Sequence, residues 1–140
     1  MMSLFNIFDV SGSGMSAQSI RLNTTASNIA NADSVSSSID QTYRARHPVF
    51  EAEMAKASHQ QQTSQSVKVA GIVESDKPLQ KEYSPDHPLA DADGFIYKPN
   101  VNVMEEMANM ISASRSYQMN VQVAEAAKSM LQQTLRIGKS

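Results

Sequence analysis

The side chains with the most chemical potential in this chain cluster at Asp91-Ala92-Asp93-Gly94. Alternating carboxylates followed by a turn glycine form part of a calcium-binding loop, where oxygen ligands wrap a hard cation. The pattern is incomplete, because a full loop needs an acidic or amide residue where Leu89 stands and a glutamate where Asn100 stands. A solvated turn is therefore expected. His47, His59 and His87 are the only histidines, each in or beside an expected loop and none with a second ligand at helical metal spacing. Serines are plentiful, but no Gly-x-Ser-x-Gly elbow frames one, and no phosphate-binding glycine loop exists. Glu105 and Glu106 open a helix, where carboxylates suit the dipole. No catalytic, cofactor or metal residue is assigned. The enzymatic alternative is a metal-dependent hydrolase using Asp91, Asp93 and His87, which calorimetry with added metal would test.

Composition narrows the classes further. With 41% hydrophobic residues but only 6% aromatic, no Trp and nine Met, the 140-residue chain suits a slender, adaptable core. A net charge of -2 gives no electrostatic footprint for nucleic acid or an anionic membrane. Cysteine is absent, which removes disulfides, thiolate zinc sites and cysteine nucleophiles together. The opening MMSLFNIFDV has no basic region, and Asn6 and Asp9 break its apolar run, so it does not read as a cleavable secretory signal. No apolar stretch approaches bilayer-spanning length.

The elements that must carry whatever function remains are two helical stripes. Near the start, Phe8, Met15, Leu22 and Ile29 recur every seven residues, flanked by the small row Gly12, Ser19 and Ala26. Near the end, Val103, Met110, Tyr117, Ala124 and Leu131 do the same, with Met107, Ser114, Val121, Lys128 and Leu135 as a second row. One-sided stripes of this kind are not stable helices in water alone. The first helix is expected over about residues 4 to 31, ended by Asn28, Asn31 and Asp33; the second follows Pro99-Asn100 and runs to about Ile137, where Gly138 stops it.

Between them lies a β-rich insert. A strand is expected over Tyr43 to Glu51, placed at an edge by Pro48. Val67, Val69, Ile72 and Val73 make another, and Leu79, Lys81 and Tyr83 a third. Asp93-Gly94 forms a tight turn before Phe95, Ile96 and Tyr97. Residues 58 to 66 are a polar loop tip. The fold is thus mainly α: long N- and C-terminal helices paired as an antiparallel coiled coil (1–33 and 101–140), with a small β-rich insert at 34–100.

Mid-helix, Ser112-Ala113-Ser114-Arg115-Ser116-Tyr117-Gln118 is small and polar where better helix formers would be expected. This suggests a close subunit contact, with Arg115 pairing across it.

These segments also carry a family resemblance. Leu22-Asn23, with Ala26-Ser27-Asn28-Ile29-Ala30-Asn31-Ala32, resembles the N-terminal signature of bacterial flagellar rod and hook proteins. Ser112 to Gln118, followed by Asn120, is similar to the matching C-terminal signature. Within that family, Asn31-Ala32-Asp33, Tyr43-Arg44-Ala45, His87 to Asp91 with Gly94, and Pro99-Asn100-Val101 are similar to the short proximal rod subunits. The resemblance implies a structural rod subunit that transmits torque through helix packing, with no active site and no cofactor. It implies export through the flagellar type III apparatus and assembly in the periplasm, with the helices in the inner layer of a helical tube and the insert outside. The implied neighbours are other rod proteins, FlgB, FlgF, FlgG and FliE, and copies of the chain itself, without nucleic acid or membrane insertion. The residues expected at subunit contacts are the two stripes with Gly12, Ser19, Ala26, Arg115 and Tyr117. The alternative is a soluble helical-hairpin adaptor or export chaperone.

Overall fold

The computed structural model describes residues 4–54 and 65–138 of the chain. His59 and most of the polar stretch from Ser58 fall outside the described residues. Helix α1 spans Leu4–Ala30 and α2 spans Val103–Ile137, 35 residues or about 52 Å of helix. The Asn102 side chain starts α2 by accepting the N–H groups of Met104 and Glu105, and Glu105 and Glu106 complement the dipole of its first turn. Gly138 closes it by donating its N–H to the Thr134 and Arg136 carbonyls. Its φ of -74° is right-handed, so this glycine ends the helix without the left-handed conformation.

Arg21 of α1 meets Asn109 of α2, and Gly14, earlier in α1, meets Asn120, later in α2. The helices are therefore antiparallel, as expected. The molecule is mainly α, with a small β-rich region between the two helices.

Strands β1 (Arg46–Met54) and β2 (Gln65–Glu74) form an antiparallel hairpin. Strand β1 starts three residues later than Tyr43 and continues past Glu51. Pro48 is accommodated because strand residues alternate the side to which their N–H and C=O point. Arg46 turns both groups outward, and Pro48, two residues on, faces the same way, so its missing N–H breaks no ladder bond. Val49 lies opposite Gly71 and Phe50 opposite Val69, which leaves Ala70 as a bulge. Pro48 faces Ile72 and Ala52 faces Val67, so side chains of these pairs share one apolar hairpin face. The hairpin runs back along α1, and the Val67 N–H donates to Ser13 Oγ at 3.1 Å.

A second small hairpin pairs β3 (Gln80–Tyr83) with β4 (Phe95–Lys98). Tyr83 packs edge-on against Phe95, Lys81 sits 3.9 Å over the Phe95 ring, and Lys98 pairs with Glu82. A bridge from Ser36 to Tyr97 ties the loop after α1 to β4.

Small and polar side chains make up most of the core. Its buried apolar residues are Ala17, Ala45, Ile96, Val101, Ala113 and Ala127, joined by Ser11, Thr24, Thr25, Asn28, Thr42 and Glu106. The largest fully buried side chains are Asn28 and Pro99.

Candidate functional site

The α2 face that meets α1 is small and polar. Glu106, Ala113 and Ala127 are buried and Asn120 is half-buried, at steps of seven; Met110 and Ala124 lie half-buried between them, and Leu131 beyond. These steps of four and three define one seam. The first expected row therefore lies on the seam from Met110 onward, although Val103 and Tyr117 stay partly exposed. The second expected row is displaced by one residue, about 100° of helix. Met107 and Leu135 are exposed, while Ser114 and Val121 are half-buried. Apolar spacing selected residues 107, 114 and 121, whereas the seam uses their smaller or more polar neighbours 106, 113 and 120.

Helix α1 behaves the same way. Phe8, Met15, Leu22 and Ile29 are half-buried, but the buried positions are Ser11, Ala17, Thr24, Thr25 and Asn28. Of the flank, Ser19 is half-buried, while Gly12 and Ala26 are exposed. The glycine at the close approach is Gly14, where an added Cβ would lie 2.7 Å from Asn120 Nδ2; at Gly12 it would meet nothing within 4 Å. The sequence shows both glycines but not which one faces α2. Two buried acceptors in this part of the molecule, Glu106 Oε2 and Gln18 Oε1, have no hydrogen-bond partner among the described residues.

The bulky apolar side chains point outward instead. Met104 is 76% exposed and Met119 59%, and Phe5, Met107, Ile111, Val123 and Met130 are exposed as well. Arg115 lies two residues from Ala113, about 200° round the helix and so opposite the seam. It is exposed and forms no ion pair among the described residues.

Where the insert joins the helices, the packing is of another kind. Asn28 Oδ1 accepts from the Tyr43 hydroxyl at 2.8 Å and the Arg46 N–H at 2.9 Å, and its Nδ2 donates to the Arg46 carbonyl at 2.8 Å. Its amide thus pairs with Arg46 as a neighbouring strand would. Asn100 Oδ1 accepts the Ala45 N–H at 2.8 Å, and its Nδ2 donates to the carbonyls of Ser75 and Lys77. The Ser75 N–H donates to the Ala45 carbonyl. Asn28 is therefore not a helix terminator but a buried residue of the last α1 turn. Asn31 does serve the helix end, donating Nδ2 to the Ser27 carbonyl. Sequence reading marked Asn28 and Asn100 as motif residues; nothing local revealed that both reach the same dipeptide.

The Asp91–Gly94 segment forms the expected turn. Asp91 Oδ1 accepts the N–H groups of Asp93 and Phe95, and its Oδ2 accepts the Tyr97 hydroxyl. The Phe95 N–H, with smaller help from the Asp93 N–H, Tyr97 and Lys81, holds the carboxyl below the usual aspartate range despite some desolvation. Gly94 has φ +81°, and a Cβ there would sit 3.0 Å from Tyr83. His87 Nδ1 accepts the Leu89 N–H. Two of the three candidate ligands, Asp91 and His87, are thus engaged in local turn geometry through their side chains.

Comparison with known proteins places this architecture. Residues 8–36 match the family model described as flagella basal body rod protein, and residues 92–137 match the flagellar basal body rod FlgEFG protein C-terminal model. The flagellar basal-body rod protein FlgC of Salmonella typhimurium is 49% identical over 138 residues, which is 99% of this chain and all of the relative. The chain belongs to the FlgC family of flagellar basal-body rod proteins. FlgC of Yersinia enterocolitica is also 49% identical over 138 residues, covering 99% of this chain and all of the relative. FlgC of Buchnera aphidicola from Acyrthosiphon pisum is 42% identical over 140 residues, again 99% of this chain and the whole relative. The chain is accordingly a structural subunit of the flagellar basal-body rod, not an adaptor. The two family models cover most of α1 and α2, so both signatures fall on the seam-forming helices of this FlgC-family chain.

Proposed function

We propose that this FlgC-family subunit builds the rod by offering neighbouring subunits the apolar faces that its own hairpin leaves uncovered. The observation that carries this reading is the inverted helix pair, with Ser, Thr, Ala and Asn inside the seam and Met, Ile and Phe outside. Water-exposed apolar surface on this scale favours burial by about 25 cal/mol per Å². A contact that repeats without closing turns one such face into a helical assembly. The expected contact residues are Phe8, Gly12, Met15, Ser19, Leu22, Ala26 and Ile29 on α1. On α2 they are Val103, Met107, Met110, Ser114, Arg115, Tyr117, Val121, Ala124, Leu131 and Leu135. Those half-buried in the seam support the exposed ones from behind. Arg115, without an ion-pair partner among the described residues, supplies a charge for a neighbouring carboxylate.

In this reading the neighbours are FlgB, FlgF, FlgG and FliE together with further copies of the chain. The rod lies in the periplasm, reached through the type III apparatus. Among the described residues no helix is long and apolar enough to cross a membrane, which suits a subunit held by protein contacts. Torque passes through packed helices, with no reaction catalysed.

The absence of cysteine gives a direct test. Met119→Cys places a single thiol on an exposed α2 face, where a benzophenone maleimide can be attached in the free chain. Illumination after the labelled chain has assembled into basal bodies should give adducts with another subunit. Recovery of uncrosslinked chain alone, from this position and from Ile111→Cys, would reject the proposal.

A further inference from the structure

The insert meets the helices most tightly at one dipeptide. All four backbone polar groups of Ala45 and Arg46 are bonded, and by three separate parts of the chain: Asn28 on α1, Asn100 just before α2, and Ser75 after β2. Ala45 is only 3% exposed. Along the rest of the α1–hairpin contact, the bond between the Val67 N–H and Ser13 Oγ is exposed to solvent. Such a bond competes with water and restrains little.

We propose that Asn28 and Asn100 are positioning residues for torque transfer, two pins through which the insert is forced to follow both helices. This rests on the rod-subunit reading above. The pins come from opposite helices: Asn28 sits in the last α1 turn and Asn100 two residues before the Asn102 cap of α2. Displacement of either helix is therefore delivered to Ala45-Arg46 and from there into β1. An amide suits the task because it offers an acceptor and donors together. Asn28 uses both on Arg46, and Asn100 uses its donors to hold the Ser75 and Lys77 carbonyls that leave β2. A carboxylate of the same shape would accept but could not donate.

Hydrogen exchange on the purified full chain reads the joint itself. In Asn28→Ala and Asn100→Ala, exchange at the Arg46 and Ala45 amides respectively should quicken by about tenfold or more, the factor expected for losing one buried hydrogen bond. Amides in the middle of α1 and α2 should quicken no further than the fall in global stability measured for the same variant, and less than those of the dipeptide. Asn31→Ala, which removes an amide serving only Ser27 within the same helix end, should leave Ala45 and Arg46 protected. Ala127→Gly weakens α2 far from the joint and should do the same. Unchanged protection at the dipeptide, or equal acceleration along the whole chain, would overturn the proposal. Cells producing only Asn28→Asp or Asn100→Asp supply the second reading. Basal bodies should contain the variant in normal amount, with rotation slowed more in viscous medium than in dilute. Rotation that stays normal under viscous load in these assembled motors would refute the coupling role. Failure of the unaltered chain to enter basal bodies would instead sink the rod reading, while the exchange result stands on its own.

Discussion

The helix seam and the asparagine joint differ in almost every physical respect. The seam is long and built from small or polar groups, and Glu106 Oε2 and Gln18 Oε1 lack partners among the described residues. The joint is only a few residues wide, and each bonding group of Asn28 and of the Ala45-Arg46 backbone is engaged. A buried polar network that is complete specifies one geometry, whereas an incomplete one costs stability. The FlgC-family subunit thus fixes its insert by a complete polar network and its helices by packing of small groups. In the proposed assembly, that arrangement keeps the insert in register while the outer helix faces meet neighbours.

The largest effect should come from breaking the joint. Asn28→Ala strips partners from the Arg46 N–H and carbonyl and from Tyr43, and should cost about 3 kcal/mol or more. Urea unfolding measures it, and a loss below about 1 kcal/mol would remove the contrast with the seam.

The glycines come next. Gly12→Ala should stabilise by about 1 kcal/mol, because alanine is the better helix former and nothing obstructs the new methyl. Gly14→Ala brings the same gain but forces Asn120 aside, at about 1–2 kcal/mol. Equal thermal shifts for the two variants would mean that the seam is not closely packed there.

Relieving the seam should have a comparable but opposite effect. Glu106→Gln removes a buried carboxylate with one unpartnered oxygen, and should raise stability by about 1 kcal/mol. A destabilised variant would show that Glu106 has a partner in solution.

Asp91 should give the smallest change. Its folded pKa is depressed, chiefly by the Phe95 N–H, so its contribution is present above the unfolded aspartate value. It is lost as pH falls through the lower folded value. Asp91→Asn should therefore flatten the stability profile below about pH 4 and leave its shape unchanged near neutrality. An unaltered acid limb would show that the turn bonds do not favour the ionised form.

Much of this was legible in the sequence because helices and turns announce themselves locally. The seven-residue stripes, the Asp93-Gly94 turn and the β-rich middle all formed, with helix ends within a few residues. On α2 the second apolar row lies one position from the seam, since apolar spacing finds apolar faces and this seam buries Glu106, Ala113 and Ala127. Gly12 and Gly14 have the same local signature, and only tertiary packing separates them. Asn28 and Asn100 lie 72 positions apart in the chain, so no local pattern could show that they converge on Ala45-Arg46.

Whether the outward apolar faces are the assembly surface can be measured by thiol accessibility at a single introduced cysteine. Met119→Cys should react readily with a maleimide in the free chain and become strongly protected in intact basal bodies. Ala113→Cys, inside the seam, should be slow in both. Equal reactivity of the Met119 position in the free and assembled states would contradict this account.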